Sequence, residues 1–321
     1  MRVWRAGLIG IIVPAILAAC AGSEIPISEL RLAYGLPASQ TFQPSPGVRV
    51  HFTDEGNRNG RTLVLVHGFA ASVYAWRPWT ERLSADYRLI ALDLPGHGLT
   101  ETPPGYKASL DGNAEIVDAL VTHLGLARFV LAGNSMGGAV SLDYAMKHPE
   151  KLDGLVLIDA AGWPGERETG DEGAPGAFAL LDNDFGRAIL KLFDPRMFAR
   201  NGLRTAYHDD DLVTQNMIDR YGRMAMGQGH RDVLLNQRPQ PAQRWTAADF
   251  ARIHTPTLVM VGEQDAIIPT RNSRAIAGAI PGAYLVAYPD GGHIPMEQLP
   301  DETVRHLRAF IGGLPPSHDG K

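Results

Sequence analysis

A serine hydroxyl is a useful nucleophile only when a base stands beside it and the chain lifts it clear of its neighbours. Residues 133–138 read Gly-Asn-Ser-Met-Gly-Gly. The run Arg128-Phe129-Val130-Leu131-Ala132 precedes them and reads as a buried strand, and residues 139–146 carry apolar side chains at helical spacing. Gly-x-Ser-x-Gly on a strand-to-helix turn bends so sharply that the hydroxyl of Ser135 is raised above the end of the sheet. Gly133 and Gly137 supply the lack of bulk that the bend requires. The free N–H groups of the helix start favour a developing negative charge. The chemistry that suits this arrangement is acyl transfer.

Such a serine needs a histidine to take its proton and an acid to fix the histidine's tautomer. Asp265 follows the apolar run 255–262, and His293 follows the run 283–288 and the pair Gly291-Gly292. Asp159, closing the run 155–159, is a second candidate for the acid. His67, Asp93 and His97 also close strand-like runs and read as structural residues.

The elements that must position these residues follow from the hydrophobic pattern. Residues 48–53 alternate as a half-exposed strand, while 62–66, 87–92, 128–132, 155–159, 255–262 and 283–288 are apolar runs of buried strands. Helices are expected at 72–83, 108–124, 139–146, 271–279 and 301–311. Strands alternating with helices predict an α/β fold, a mostly parallel doubly wound sheet covered on both faces. Ser135, Asp265 and His293 then share the carboxyl edge of that sheet, where such folds form their crevices. The pattern breaks at Gly162, and residues 162–252 read as an inserted helical lid with helices at 178–198 and 212–226. Phe178, Leu180, Leu181, Phe185, Leu192, Phe193, Met197, Phe198, Met217, Met224 and Met226 make it apolar, some lining a pocket and more than half packing lid against sheet. The acidic stretch 166–172 reads as a solvated loop at the lid entrance.

From about residue 48 to 311 the chain resembles the α/β-hydrolase family. The resemblance is carried by His67-Gly68-Phe69, Asp93-Leu94-Pro95-Gly96-His97-Gly98, the Ser135 motif, Gly262-Glu263-Gln264-Asp265 and Gly292-His293. The order Ser, Asp, His is also the family's. The resemblance implies Ser135 as nucleophile, His293 as base and Asp265 as acid, with no cofactor and no metal. It further implies an oxyanion hole made of the backbone N–H groups of Phe69 and Met136. Serine at this position suits a carboxylesterase or lipase acting on short to medium apolar acyl esters through an acyl-enzyme. The motif at 133–138 also resembles the meta-cleavage-product C–C hydrolases. The loop His67-Gly68-Phe69-Ala70-Ala71 lacks their glycine run, and Ile294 rather than an aromatic residue follows His293; both departures favour an ester. C–C hydrolysis, lactone hydrolysis and acyl transfer to an alcohol stay open, as does a lipid- or small-molecule-binding protein on the same fold, which typically loses triad positions.

The hydrophobic share of 45% and charged share of 20% are those of an ordinary globular chain. A net charge of -5 offers no basic footprint for nucleic acid. A single cysteine and no His-Glu-x-x-His give no thiolate zinc site, and His208 with Asp209, Asp210 and Asp211 reads as a solvated loop. Arg2 and Arg5 followed by an uncharged stretch to Ala19 read as a secretory signal. Leu17-Ala18-Ala19-Cys20 resembles the lipobox of bacterial lipoproteins. This implies cleavage before Cys20, lipidation of its thiol and attachment to a bacterial membrane, and Ala21 in place of Asp implies the outer membrane, facing the periplasm. The expected division is a signal peptide at 1–19, a tether at 20–46, the sheet domain at 47–161 and 253–313, the lid at 162–252 and a tail at 314–321. The sequence sets no oligomeric state.

Overall fold

The computed structural model describes residues 23–164, 187, 194–236 and 244–316. Cys20, the stretch 166–172, and Phe178, Leu180, Leu181, Phe185, Leu192 and Phe193 lie outside them. The described residues form one sheet of β1 (Ser39–Ser45), β2 (Val48–Gly56), β3 (Thr62–Val66), β4 (Arg88–Leu92), β5 (Phe129–Asn134), β6 (Leu152–Ile158), β7 (Thr257–Gly262) and β8 (Tyr284–Tyr288). Its order is β1-β2-β4-β3-β5-β6-β7-β8. β2 pairs antiparallel with β1 and with β4, and every other pair is parallel. The helices are α1 (Ile27–Tyr34), α2 (Arg77–Leu83), α3 (Leu110–His123), α4 (Met136–Lys147), α5 (Arg196–Tyr207), α6 (Gln215–Ala225), α7 (His230–Asn236), α8 (Ala247–Phe250), α9 (Thr270–Ala279), α10 (Pro295–Gln298) and α11 (Pro300–Gly312).

β3 is where the winding reverses. Every residue of Thr62–Val66 is buried, because alternate side chains enter opposite cores. Val64 and Val66 pack with Val117 and Leu120 of α3 and Val140 of α4, while Leu63 and Leu65 pack with Trp76, Trp79 and Leu83 around α2 and with Leu307 of α11. Trp79 Nε1 donates to Thr303 Oγ1 at 2.9 Å and ties α2 to α11. The chain passes from β3 to β4 on one side and reaches β5 on the other. The crevice of a doubly wound sheet opens at such a reversal, at the carboxyl ends of β3 and β5.

The stretch expected as a tether is folded from Ser23 onward. Ile27 and Leu30 of α1 are buried against Leu99. Just before α1, Ile25 N–H donates to Met226 O at 2.8 Å, and Gln228 N–H donates to Ile25 O at 2.9 Å. Arg31 pairs with Glu101 and Glu29 with Arg223, at 2.7 and 2.8 Å. β1 then adds an edge strand whose one buried residue is Phe42. A single inward side chain among polar ones gives no alternation to read, and Pro26, Pro37 and Pro44 suggest a linker.

Between β6 and β7 the described residues carry α5 to α8. The helix expected at 212–226 is present as α6, entered through a 3-10 turn at Asp210–Leu212. α5 runs on to Tyr207, beyond the end expected at 198. Asn201-Gly202 is a turn signal in isolation, yet Leu203 and Tyr207, four residues apart, are buried on one face and hold the helix across it. Met197, expected among the packing or lining residues, is instead 64% exposed on the outer side of α5.

Candidate active site

Ser135 joins β5 to α4 with φ 54° and ψ -119°, a left-handed backbone that a side chain adopts only under compulsion. The compulsion is visible on both sides. Ser135 N–H donates to Ile158 O at 3.0 Å, and Ser135 O accepts from Ala139 N–H at 3.2 Å and Ala161 N–H at 3.0 Å. A Cβ on Gly133 would overlap the Gly137 carbonyl oxygen, and one on Gly137 would overlap that of Val66, so neither position accepts a side chain without displacement.

The loop after β3 lies against this turn. A Cβ on Gly68 would stand 3.0 Å from Asn134 Oδ1 and 3.1 Å from Ser135 Cβ. His67, fully buried, shapes the loop: its Nδ1–H donates to Gly68 O at 2.7 Å and its Nε2 accepts from Leu94 N–H at 3.0 Å. Burial pushes its pKa below the usual histidine value, in keeping with a neutral ring. Burial alone would raise the Asp93 carboxyl, but the adjoining His51, 2.7 Å away, and the Leu99 N–H bring it down to about 2. Burial also holds His97 well below the usual histidine value. These groups serve the turn 93–100, whose Thr100 Oγ1 donates to Asp93 O at 2.6 Å.

Asp265 and His293 meet above the ends of β7 and β8. Asp265 Oδ2 lies 2.7 Å from His293 Nδ1, and both side chains are buried. The other carboxylate oxygen, Oδ1, accepts from the N–H groups of Ile267 and Ile268 at 2.7 and 2.9 Å. Asp265 is thus held at both oxygens, and the ring nitrogen facing it carries the proton, leaving Nε2 as the basic one. Asp159, the other acid at a strand end, accepts from Gly262 N–H at 3.1 Å. Burial first, and the charge of Asp265 second, push its carboxyl well above the usual range.

Residues that the sequence did not single out hold the histidine loop and the helix that follows it. Asn134 Nδ2 donates to Ile158 O at 3.1 Å and to His293 O at 3.0 Å, joining the serine turn to the histidine. Glu297 of α10 is half-buried, and its two oxygens accept from Tyr207 OH at 2.9 Å and Tyr221 OH at 3.1 Å. Burial raises the Glu297 carboxyl, while these phenols and Arg220 oppose the shift. Next to Tyr207, Ala206 O accepts from His293 N–H at 2.7 Å. A Cβ on Gly292 would overlap that same oxygen, which is why the residue before His293 is glycine. The contacts span so much sequence that no local signal announces them; Asn134 carries only its place inside the serine motif.

Ser135 and His293 line a cavity of about 410 Å³ with Gly68, Phe69 and Asn134. Its other walls come from α5 and α6, through Phe198, Leu203, Tyr221 and Ala225, and from Leu234, Leu235, Ile267 and Ile294. The lining is mostly apolar. Among the described residues its one arginine is Arg231, which stands in the field of Asp194. Of the lid residues expected to be apolar lining, Phe198 lies here, while Met224 and Met226 are buried in packing. Among the described residues no three His, Cys, Asp or Glu side chains cluster as a metal site would require.

Residues 61–300 match the alpha/beta hydrolase fold family, and the chain is a hydrolase belonging to it. Lipase 3 of Moraxella sp. (strain TA144) is 28% identical over 270 residues, covering 84% of this chain and 82% of that protein. The 2-hydroxy-6-oxo-2,4-heptadienoate hydrolase of Pseudomonas putida is 29% identical over 256 residues, covering 77% and 87%. Among solved structures, a bacterial membrane phospholipase A is similar with a TM-score of 0.70 at 26% identity, covering 95% of this chain and 93% of that one.

Proposed function

We propose that this hydrolase cleaves carboxylic esters of short to medium apolar acyl chains through an acyl-enzyme on Ser135. The observation that carries the reading is the Asp265–His293 pair at 2.7 Å beside a strained Ser135 in one apolar cavity. His293 Nε2 takes the Ser135 proton as the oxygen attacks the ester carbonyl. The tetrahedral oxyanion is met by the backbone N–H groups of Phe69 and Met136, each such donor lowering the barrier by about 3 kcal/mol. The imidazolium, steadied by Asp265, returns the proton to the leaving alcohol. Water, activated by the same nitrogen, then releases the acid. The chain is further proposed to be exported and held by a lipid on Cys20 to the outer membrane, facing the periplasm. The signal-like start and the lipobox-like residues 17–20 support this.

C–C bond hydrolysis is the second reading. Arg231 in the cavity wall favours it, because a dienoate carries a carboxylate that a cation would receive. Asp194 already answers part of that charge, and the described lining is mostly apolar, which favours an acyl chain. Turnover of p-nitrophenyl esters of increasing acyl length, beside Ser135→Ala, separates the two. Ester turnover lost in Ser135→Ala supports the first reading. Turnover confined to a ring-fission dienone replaces it with the second. Cys20→Ser tests the anchor: an unchanged mass and membrane distribution would refute it.

A further inference from the structure

We infer that the protein lies on the bilayer by one defined face, the corner built from α1, α5 and α6, so that the helices walling the cavity are those nearest the lipid. The inference rests on the proposal that Cys20 carries the lipid. Its structural basis is that the chain is captured almost at once after that residue. Ile25 is bonded on both sides to the segment that follows α6, through Met226 O and Gln228 N–H at 2.8 and 2.9 Å. Ile25 lies five positions after Cys20, and five extended steps of chain span at most about 18 Å. A globule of this chain length is on the order of 50 Å across. The tether is therefore too short for the far side of the molecule to reach the membrane, and the capture point sets which side is near.

A second observation selects the same region. Among the described residues the exposed large apolar side chains are Leu32 at 91%, Met197 at 64%, Tyr284 at 59% and Leu212 at 40%. Leu32 projects from α1, opposite the buried Ile27 and Leu30; Met197 lies in the first turn of α5; Leu212 lies in the turn that links α5 to α6. Only Tyr284, on the edge strand β8, lies elsewhere. α1 packs on α6 and α6 on α5, so the three side chains belong to contiguous elements. Solvent-facing apolar groups beside a lipid anchor are accommodated when they enter the headgroup and acyl boundary. The same α5 and α6 supply Phe198, Leu203, Tyr221 and Ala225 to the cavity wall.

The test uses the full-length, membrane-extracted protein reconstituted in phosphatidylethanolamine–phosphatidylglycerol vesicles that carry a nitroxide-labelled phosphatidylcholine. Cys20 is the only cysteine, and its thiol is consumed by the lipid, so Leu32→Cys, Met197→Cys and Tyr284→Cys each offer one site for a fluorophore. All three positions are exposed, and equal urea midpoints check that the fold is kept. Quenching at positions 32 and 197 at least twofold stronger than at 284 is the expected result. Equal quenching at all three, or stronger quenching at 284, overturns the orientation while leaving the anchor in place. A mass without lipid, with protein that fails to float with vesicles, removes the anchor and the orientation with it. Ester turnover by the same samples is scored separately, so failure of the hydrolase reading is not confused with either.

Discussion

Replacing Asp159 by asparagine should make stability less sensitive to pH. Asp159 is 1% exposed at the end of β6, its carboxyl receives Gly262 N–H, and the Asp265 carboxylate stands nearby. Burial and that neighbouring charge raise its pKa well above the ordinary 3.8. The folded chain thus keeps a proton that the unfolded chain releases. The stability this proton contributes is complete below the unfolded value and is lost as pH rises through the raised native value. The slope approaches about 1.4 kcal/mol per pH unit while the two states differ by a full proton. Asp159→Asn retains an oxygen for Gly262 N–H and has no proton to lose. Urea denaturation of both proteins from pH 4 to 9 should give a difference, variant minus wild type, that climbs with pH over that window. Groups common to both proteins cancel in the difference. A difference flat across the range, or one that falls, would refute the view that Asp159 is held neutral and that Asp265 is the charged partner of His293.

Asp265→Asn, which removes the charge facing His293 and misdirects its tautomer, should lower kcat by roughly 10⁴-fold with the circular dichroism spectrum unchanged. Glu297→Gln leaves the phenols of Tyr207 and Tyr221 with one good acceptor between them; a urea midpoint lower by the equivalent of ~2 kcal/mol is expected, with Tyr207→Phe moving in the same direction. Leu30→Ala should cost ~2–5 kcal/mol by the same measurement, because the side chain is wholly buried between Ile27 and Leu99, whereas a residue of a free tether would cost nothing.

How legible the molecule is in its sequence depends on how many faces an element buries. Thr62–Val66 is buried on both faces, so its run has no polar interruption and its limits are read directly. β1, with Phe42 alone turned inward, escapes notice, and α1 is hidden among prolines although Leu30 is wholly buried. Ser135 is legible because its geometry demands glycines within two residues on either side, a local requirement. The choice between Asp159 and Asp265 is not local. Both close buried strands, and only the fold brings the ring of His293 to Asp265. The bonds from Asn134 and Ala206 to His293 cross 159 and 87 positions (293 minus 134 and 293 minus 206) and have no signature in composition or periodicity.

The hydrogen bond from His293 N–H to Ala206 O bears on modularity. The insert between β6 and β7 has the look of an interchangeable part, a helical block spliced into a finished sheet. Yet the backbone of the histidine loop is completed by a carbonyl that belongs to the insert, and Glu297 by two of its phenols. A chimaera carrying another hydrolase's insert would inherit a sheet, a serine turn and an aspartate, but a histidine loop without its outer support. Exchange of substrate range by grafting therefore requires that the donor insert present a carbonyl at the place of Ala206.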